Sequence, residues 1–314
     1  MTAGPPLRPA AIQGEKMRAV TWNIQWGKGR DEVVDLDRIA RSVGEADVIC
    51  LQEVERNWRE MDHADQVARL SELLPGHYAT FAPSVDIHDS RAAGPGARLA
   101  RRQYGLLTLS RWPILSVRTF PLPKYPVQGQ INDQSCLSEA VIAPEGRGLR
   151  VYNTHLNYLS QRQRRLQVAE VMRLIAEAPR QGGPIEGPGV PETEYRQDWI
   201  AVGPEDLTAM PAPALLMGDF NMRPNAPEYS LIAGDIDPFY GRLTETGLFS
   251  DALTLAGMPE SAGRTHDDSD VAGFQRIDHL FLSGDLAPAL RRAWIDEAAD
   301  GSDHQPVWAE IDFP

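Results

Sequence analysis

Positive charge is scarce in this chain. Over 314 residues, 31 Lys and Arg stand against 44 Asp and Glu, a formal net charge of −13. Duplex DNA is held by neutralising its phosphates with a basic surface, so a dedicated duplex binder is disfavoured, although a local basic patch on an acidic protein still holds an anion. No long basic stripe interleaved with aromatics is present, and extended single-strand binding therefore lacks support. Cysteine is almost absent. Cys50 and Cys136 cannot make a disulfide framework, and Cys50, inside Val48-Ile49-Cys50-Leu51, reads as a small buried hydrophobe. No run approaches the roughly 18 apolar residues of a membrane span, and no Lys-rich helix with a Trp/Phe face offers insertion into a lipid surface. The Pro-rich stretch MTAGPPLRPAAIQGEK, residues 1–16, has no apolar segment of the secretory kind. It is read as a flexible extension, with a cytoplasmic location as the expectation.

What is present is a globular composition, 42 % apolar and 24 % charged, long enough to bury a sizeable core. Arg18–Ile24 predicts a first strand that stops at Asn23. Leu36, Ile39, Ala40 and Val43 then share one helical face. Val48–Leu51, short and continuously apolar, predicts a strand covered on both sides, with Glu53 at its end. Val67, Leu70 and Leu74 form a second helical face, stopped by Pro75-Gly76. Strand candidates follow at short intervals: His77–Pro83, Tyr104–Ser110, Ile114–Phe120, Ser135–Ala143 and Leu149–His155. A helix through Val168, Val171, Met172 and Ile175 comes next. A second series opens at Ala214–Gly218 and continues with Arg276–Ser283, Leu290–Ile295 and Pro306–Ile311. Between the halves, residues 179–213 are rich in Pro and Gly and acidic. A segment of this length without periodicity is read as a solvated insertion, with a lid or binding loop as the alternative. Two sheet-forming halves, each with helices, suggest two packed sheets flanked by helices.

Polar residues recur where the apolar strands stop. They are Asn23, Glu53, His155, Asp219 and Asn221 in Gly218-Asp219-Phe220-Asn221, Asp278 within Arg276–Phe281, and Asp303-His304 before the last strand. Strand ends hold side chains rigidly while leaving them open to a substrate. Carboxylates and carboxamides suit a hard divalent cation such as Mg²⁺, and histidines beside acids suit charge stabilisation and proton transfer. A Cys/His zinc cluster, a Gly-x-Ser-x-Gly elbow and a Gly-x-x-x-x-Gly-Lys phosphate loop are all missing. The inventory points to metal-assisted hydrolysis without a covalent intermediate.

Taken in order, WNIQWG, LQEVE, NTHL, GDFN, RIDHLF and SDHQPV resemble the endonuclease/exonuclease/phosphatase superfamily. Its members include DNase I-like nucleases, AP endonucleases, sphingomyelinases, inositol polyphosphate phosphatases and deadenylases. The signature runs from Asn23 to His304, which implies one domain over residues 17–314 rather than two. The implied fold is α/β, a four-layer α-β-β-α sandwich of two packed mixed sheets flanked by helices. By the same resemblance, Glu53 is the main metal carboxylate, with Asn23 beside it and Asp303 as a metal-side acid, for Mg²⁺ or Mn²⁺. Asp219 positions or deprotonates the attacking water, and Asn221 holds it against the phosphate. His304 bonds the phosphoryl oxygen and Asp278 orients it. His155 assists near the phosphate or leaving group. His279, facing away from Asp278, is read as structural. Asn157, Arg111 and Thr265 are left open between the two roles.

Two departures narrow the branch. The second residue after the first-strand Asn is acidic in AP endonucleases and is Gln25 here, and His155 stands where those enzymes carry Tyr. With the acidic net charge, this disfavours abasic-site repair. Arginines gather in Ser84–Arg102 and at Arg162, Arg164 and Arg165. Arg102 and Arg165 are taken from these clusters as candidate substrate-binding groups. The expected activity is a phosphodiesterase on a small or short substrate: a glycerophosphodiester, a phospholipid-like head group or a short nucleotide. A nonspecific nuclease is the alternative, a catalytically inactive binding module of the same fold the second. A monomer is expected.

Overall fold

A computed structural model describes residues 15–185, 210–244, 247–267 and 275–313. Its strands are β1 (Glu15–Asn23), β2 (Val48–Arg56), β3 (Tyr78–His88), β4 (Arg101–Ser110), β5 (Ile114–Pro121), β6 (Cys136–Ile142), β7 (Leu149–His155), β8 (Ala214–Asp219), the two-residue β9 (Ile236–Asp237) and β10 (Gly241–Arg242), β11 (Phe249–Asp251), β12 (Asp278–Ser283), β13 (Leu290–Ile295) and β14 (Val307–Phe313). The helices are α1 (Leu36–Val43), α2 (Gln66–Leu73), α3 (Gln161–Gln181), α4 (Ser230–Ala233) and α5 (Ala252–Leu255). One six-stranded sheet runs β13-β14-β1-β2-β4-β3 and the other β11-β12-β8-β7-β6-β5. β1–β2 and β7–β8 pair in parallel, and the other ladders of these sheets are antiparallel, so both sheets are mixed.

Alternation along the strands builds the four layers. Met17, Ala19, Val48 and Cys50 meet Val151, Leu215, Met217 and Leu280 in the core between the sheets. The intervening Val20, Trp22, Ile49 and Leu51 face outward onto Ile39, Val43 and Leu70 of α1 and α2. On the other side Tyr152, Leu216 and Phe281 pack on Val168, Val171 and Ile175 of α3, the face expected for that helix. Asp35, Asp65 and Ser160 cap the three long helices by accepting N–H groups of their first turns. The expected sandwich is therefore the observed one.

Differences lie at the edges. β1 starts at Glu15, whose partner across the ladder is Phe313, so residues 15 and 16 belong to a strand rather than to an extension. Residues 1–14 and 186–209, which hold most of the expected extension and insertion, lie outside the described residues. Residues 179–181, placed at the start of the insertion, complete α3. β2 does not stop before Glu53. It continues to Arg56 through a bulge in which Gln52 and Glu53 stand against Leu106 of β4 alone.

The parallel pairs position the site. Each is a strand–helix–strand crossover whose chain ends arrive at the same edge of its sheet. The Nδ2 of Asn23, at the end of β1, donates to Asp219 at the end of β8. The two pairs therefore end together. Beneath them the sheets are tied by buried amides: Gln52 Nε2 donates to Asn153 Oδ1 at 2.8 Å, and Asn153 Nδ2 donates to the Leu51 carbonyl. Gly218, just before Asp219, has φ +152°, and a Cβ there would stand 2.0 Å from the Thr154 carbonyl oxygen. A side chain at this position pushes β8 off β7 under the site. Gly218→Ala is expected to lower the unfolding free energy by about 3 kcal/mol through overpacking and backbone strain. Gly76→Ala, where nothing lies within 4 Å, should stay within about 0.5 kcal/mol of the parent. Equal urea midpoints for the two variants would show that the β7–β8 contact tolerates a methyl group.

Candidate active site

Strand ends from both sheets meet in a cleft of about 900 Å³ lined by Glu53, His155, Asp219, Asn221, Asp303 and His304. The Asp219 carboxylate is its focus. Asn23 Nδ2 reaches Asp219 Oδ2 at 3.0 Å, His155 Nε2 lies 3.4 Å from the same oxygen, and His304 Nε2 lies 3.8 Å from it. The other oxygen, Oδ1, accepts the backbone N–H of Asn221. Asn221 sits at φ +51° and donates its Nδ2 to the Leu156 carbonyl, so the loop after β8 and the end of β7 are fixed to one another.

His304 is held from its far side. Its Nδ1 lies 2.9 Å from Asp278 Oδ2, and both residues are buried. Burial alone lowers the pKa of an imidazole, but Asp278, Asp219 and Asp303 outweigh it and raise His304 to about 10. His304 is thus an imidazolium through neutral pH, with Nε2–H aimed at the cleft. Thr265 keeps Asp278 in place by accepting the backbone N–H groups of Ile277 and Asp278 on its Oγ1.

The bulge in β2 delivers Glu53. Its backbone takes φ +58°, a conformation a glutamate adopts only when its surroundings impose it. Burial pushes its carboxyl up, against the opposing pull of His155, the Asn23 amide and His304. Asn23 Nδ2 bridges Glu53 Oε1 and Asp219 Oδ2, while its Oδ1 accepts the N–H of Gln25. Because Oδ1 faces a donor, Asn23 presents its nitrogen to the acids. Asn23, placed among the metal residues by resemblance, spaces the two carboxylates in this arrangement. Gln25 donates its Nε2 to Asp303 Oδ2 at 2.7 Å and anchors that acid. Burial raises the Asp303 carboxyl, but His266, His304 and Ser302 outweigh it and hold the group below its usual value.

Glu53, Asp219 and Asp303 form an oxygen donor set suited to a hard divalent ion, and among the described residues no Lys or Arg forms an ion pair with them. Asp219, Asp278 and His304 offer ligand atoms within 4.8 Å of one another, as do His266, Asp303 and His304. Because His304 is protonated by its acid neighbours, the carboxylates are the better donors in both groups.

Two expected substrate contacts stand elsewhere. Arg102 lies 3.8 Å from Asp89, and its guanidinium packs 5.0 Å from the Trp58 ring centre. Arg165 is exposed on α3, and neither arginine lines the cleft. Of the residues left open, Asn157 lines the cleft, whereas Arg111 sits beside Asp47 and Gly44, apart from it. His266 was missed by sequence reasoning. It lies in a loop with no apolar strand before it, and a single bridge pairs it with His304, bringing the two rings to 4.4 Å. Its one sequence signal is adjacency to Thr265. Tyr104, Lys124 and Asp133 also line the cleft without having been singled out.

His279 is structural, as expected, and what it holds is the site's own loop. Its Nε2 lies 2.9 Å from the Met222 carbonyl and its Nδ1 2.9 Å from Asp251 Oδ2. Asp251 also accepts the Tyr229 hydroxyl and caps α5.

A family model described as Endonuclease/Exonuclease/phosphatase family matches residues 20–304. No curated protein matches the sequence. Among solved structures, an endonuclease/exonuclease/phosphatase from Beutenbergia cavernae is 21 % identical with a TM-score of 0.60, covering 94 % of this chain and 71 % of that one. One from Bacteroides vulgatus is 20 % identical with a TM-score of 0.60, covering 96 % and 100 %. A truncated Caenorhabditis elegans TDP2 is 17 % identical with a TM-score of 0.56, covering 94 % and 97 %. At these identities the likeness is one of fold.

The Asp251 cluster carries a pH prediction. Burial raises the Asp251 carboxyl, but His279, Arg276 and Tyr229 outweigh it and hold the group at about 2. A depressed carboxylate stabilises the fold above its unfolded value of 3.8 and loses that contribution as pH falls through about 2. Asp251→Asn should therefore cost about 3 kcal/mol or more at neutral pH, since it leaves the buried Arg276 guanidinium without its carboxylate. The gap to the parent should narrow between pH 4 and pH 2 in urea unfolding. A gap that is small, or constant with pH, would show that Asp251 is not ionised in this cluster.

Proposed function

The chain belongs to the endonuclease/exonuclease/phosphatase family of metal-dependent phosphoesterases, and from that premise we propose that it hydrolyses phosphodiesters of small or short substrates with Mg²⁺ or Mn²⁺. The observation that carries this reading is the His304–Asp278 pair facing the Asp219 carboxylate across one cleft. Glu53 and Asp303 are the residues that would hold the divalent ion. When bound, the ion polarises a phosphoryl oxygen and offsets its charge.

The remaining chemistry belongs to the chain. Asp219 Oδ2 accepts a proton from the attacking water, and Asn23 keeps that oxygen oriented. Asn221, locked by its two hydrogen bonds, and His155 position the phosphate against that water. His304 donates Nε2–H to the phosphoryl oxygen as negative charge builds on it, with Asp278 fixing the ring direction. We assign no covalent nucleophile: the water oxygen bonds phosphorus, the P–O bond to the leaving group breaks, and the leaving alkoxide takes a proton from solvent.

The small-substrate preference rests on charge. Among the described residues lining the cleft, Lys124 is the one Lys or Arg, whereas Glu53, Glu55, Asp86, Asp133, Asp219 and Asp303 all contribute acids. A polynucleotide needs a basic track along its backbone, which disfavours the nuclease alternative. An inactive binding module would need a key polar group to be missing. The expected groups Glu53, Asp219, Asn221, Asp278 and His304 are all in the chain.

The test is a chelator-stripped protein assayed on bis(p-nitrophenyl) phosphate, p-nitrophenyl phosphate and plasmid DNA, with Mg²⁺, Mn²⁺ and Ca²⁺ added back in turn. Diester turnover should return with Mg²⁺ or Mn²⁺ and exceed that on the monoester and plasmid. His304→Gln should lower kcat about 10²–10³-fold, the loss typical of one oxyanion-directed donor. Unchanged turnover in that variant would remove His304 from the reaction. Plasmid cleavage that outruns the diester would favour the nuclease, and silence with every metal would favour the binding module.

A further inference from the structure

The cleft has two chemically different ends. The acidic corner is built from the ends of β1, β2, β7, β8 and β12. Beyond it the cleft continues between the β3–β4 edge of one sheet and the chain joining β5 to β6 of the other. This second end is walled by Trp58, Val85, Ile87, Leu106, Ile131 and Tyr158. Ile87, Ile131 and Tyr158 are 41 %, 76 % and 54 % exposed, so large apolar side chains at the open cleft are left largely uncovered by the described residues. Such surface against a polar catalytic corner is the layout of a ligand subsite.

Resting on the phosphodiesterase reading, we propose that this end is a subsite for an uncharged, apolar ester arm of the substrate, whose phosphate lies against His304 and Asp219. Three observations favour that occupant. First, the wall is continuous with the phosphate corner, because Glu53 and Leu106 oppose one another across the β2 bulge. Secondly, Trp58 is held in place: its Nε1 donates to the Gln103 carbonyl at 2.7 Å and Arg102 packs on its ring, so the aromatic is offered in a fixed orientation. Thirdly, Glu55, Asp86 and Asp133 also line the cleft, against Lys124 alone. Lys124 donates to the Asn132 carbonyl, and Asp86 is paired with Arg101. These carboxylates disfavour an anionic arm, and Trp58, Ile87 and Ile131 offer an apolar one contact area.

Calorimetric titration of the protein in Mn²⁺ with methyl, butyl and hexyl phosphate tests this without relying on turnover. Affinity should rise about two- to fourfold per methylene buried, or roughly 30-fold or more from methyl to hexyl. Ile87→Ser and Ile131→Ser, both at exposed positions, should flatten that slope. Equal affinity for the three phosphates would overturn the subsite and leave the phosphoesterase reading standing. A slope that survives both substitutions would overturn it as well. Absence of binding by any of the three would overturn the subsite and the phosphate corner together.

Discussion

One carboxylate oxygen organises the cleft. Asp219 is 1 % exposed, and its Oδ2 receives the Asn23 amide while two imidazoles stand within 4 Å. A carboxyl group at this depth has given up its water, and its neighbours must supply the hydrogen bonds that water would have made. Those neighbours come from β1, β7 and the segment before β14, so the charge balance of one atom spans both sheets. The acids that raise His304 to about 10 are also the ones it stabilises. Removing a member of this set therefore alters the others, and single substitutions here are not independent.

The scaffold reaches that arrangement by close approach and local strain. Gly218 lets β8 lie against β7 where no Cβ fits. Glu53 and Asn221 both hold positive φ without being glycine. Residues in such conformations cost free energy and survive where the surroundings over-determine them. Here the surroundings are the buried Gln52–Asn153 tie under the bulge and the two hydrogen bonds that lock Asn221. Further out, His279 grips the Met222 carbonyl from within the aromatic packing of Phe220, Tyr229 and Phe281. The loop that carries Asn221 is therefore set by a core extending well beyond the cleft.

Much of this was legible because it depends on short-range pattern. Apolar runs with polar residues at their ends located β1, β7, β8 and β12, and helical periodicity placed α1 and α3 on the correct faces. Glu53 was recognised but its backbone was not. A bulge arises from register against β4, and nothing within Leu51-Gln52-Glu53 encodes that partner. His266 escaped for a related reason, since its place beside His304 comes from one long-range bridge. Arg102 and Arg165 failed differently. Local positive charge identified them, but whether a cation faces an anion site depends on the direction of its side chain, and Arg102 lies over the Trp58 ring, 3.8 Å from Asp89 and off the cleft lining.

Gln25 follows the same charge logic. Glu53, Asp219, Asp278 and Asp303 already crowd the floor, and three of them, Asp278, Asp219 and Asp303, raise His304 to about 10. A further carboxylate at position 25 would face Asp303, whereas the amide donates to it and lowers the repulsion. The floor nevertheless stays acidic, and so do the cleft walls. Among the described residues lining the cleft, an incoming phosphate thus meets positive charge from His304 and Lys124, beside whatever divalent ion the carboxylates would hold. Little of its affinity then derives from protein cations along the cleft. In the proposed reaction, discrimination between substrates falls to the groups proposed to touch the ester arm, the aromatic and aliphatic side chains between the β3–β4 edge and the chain joining β5 to β6.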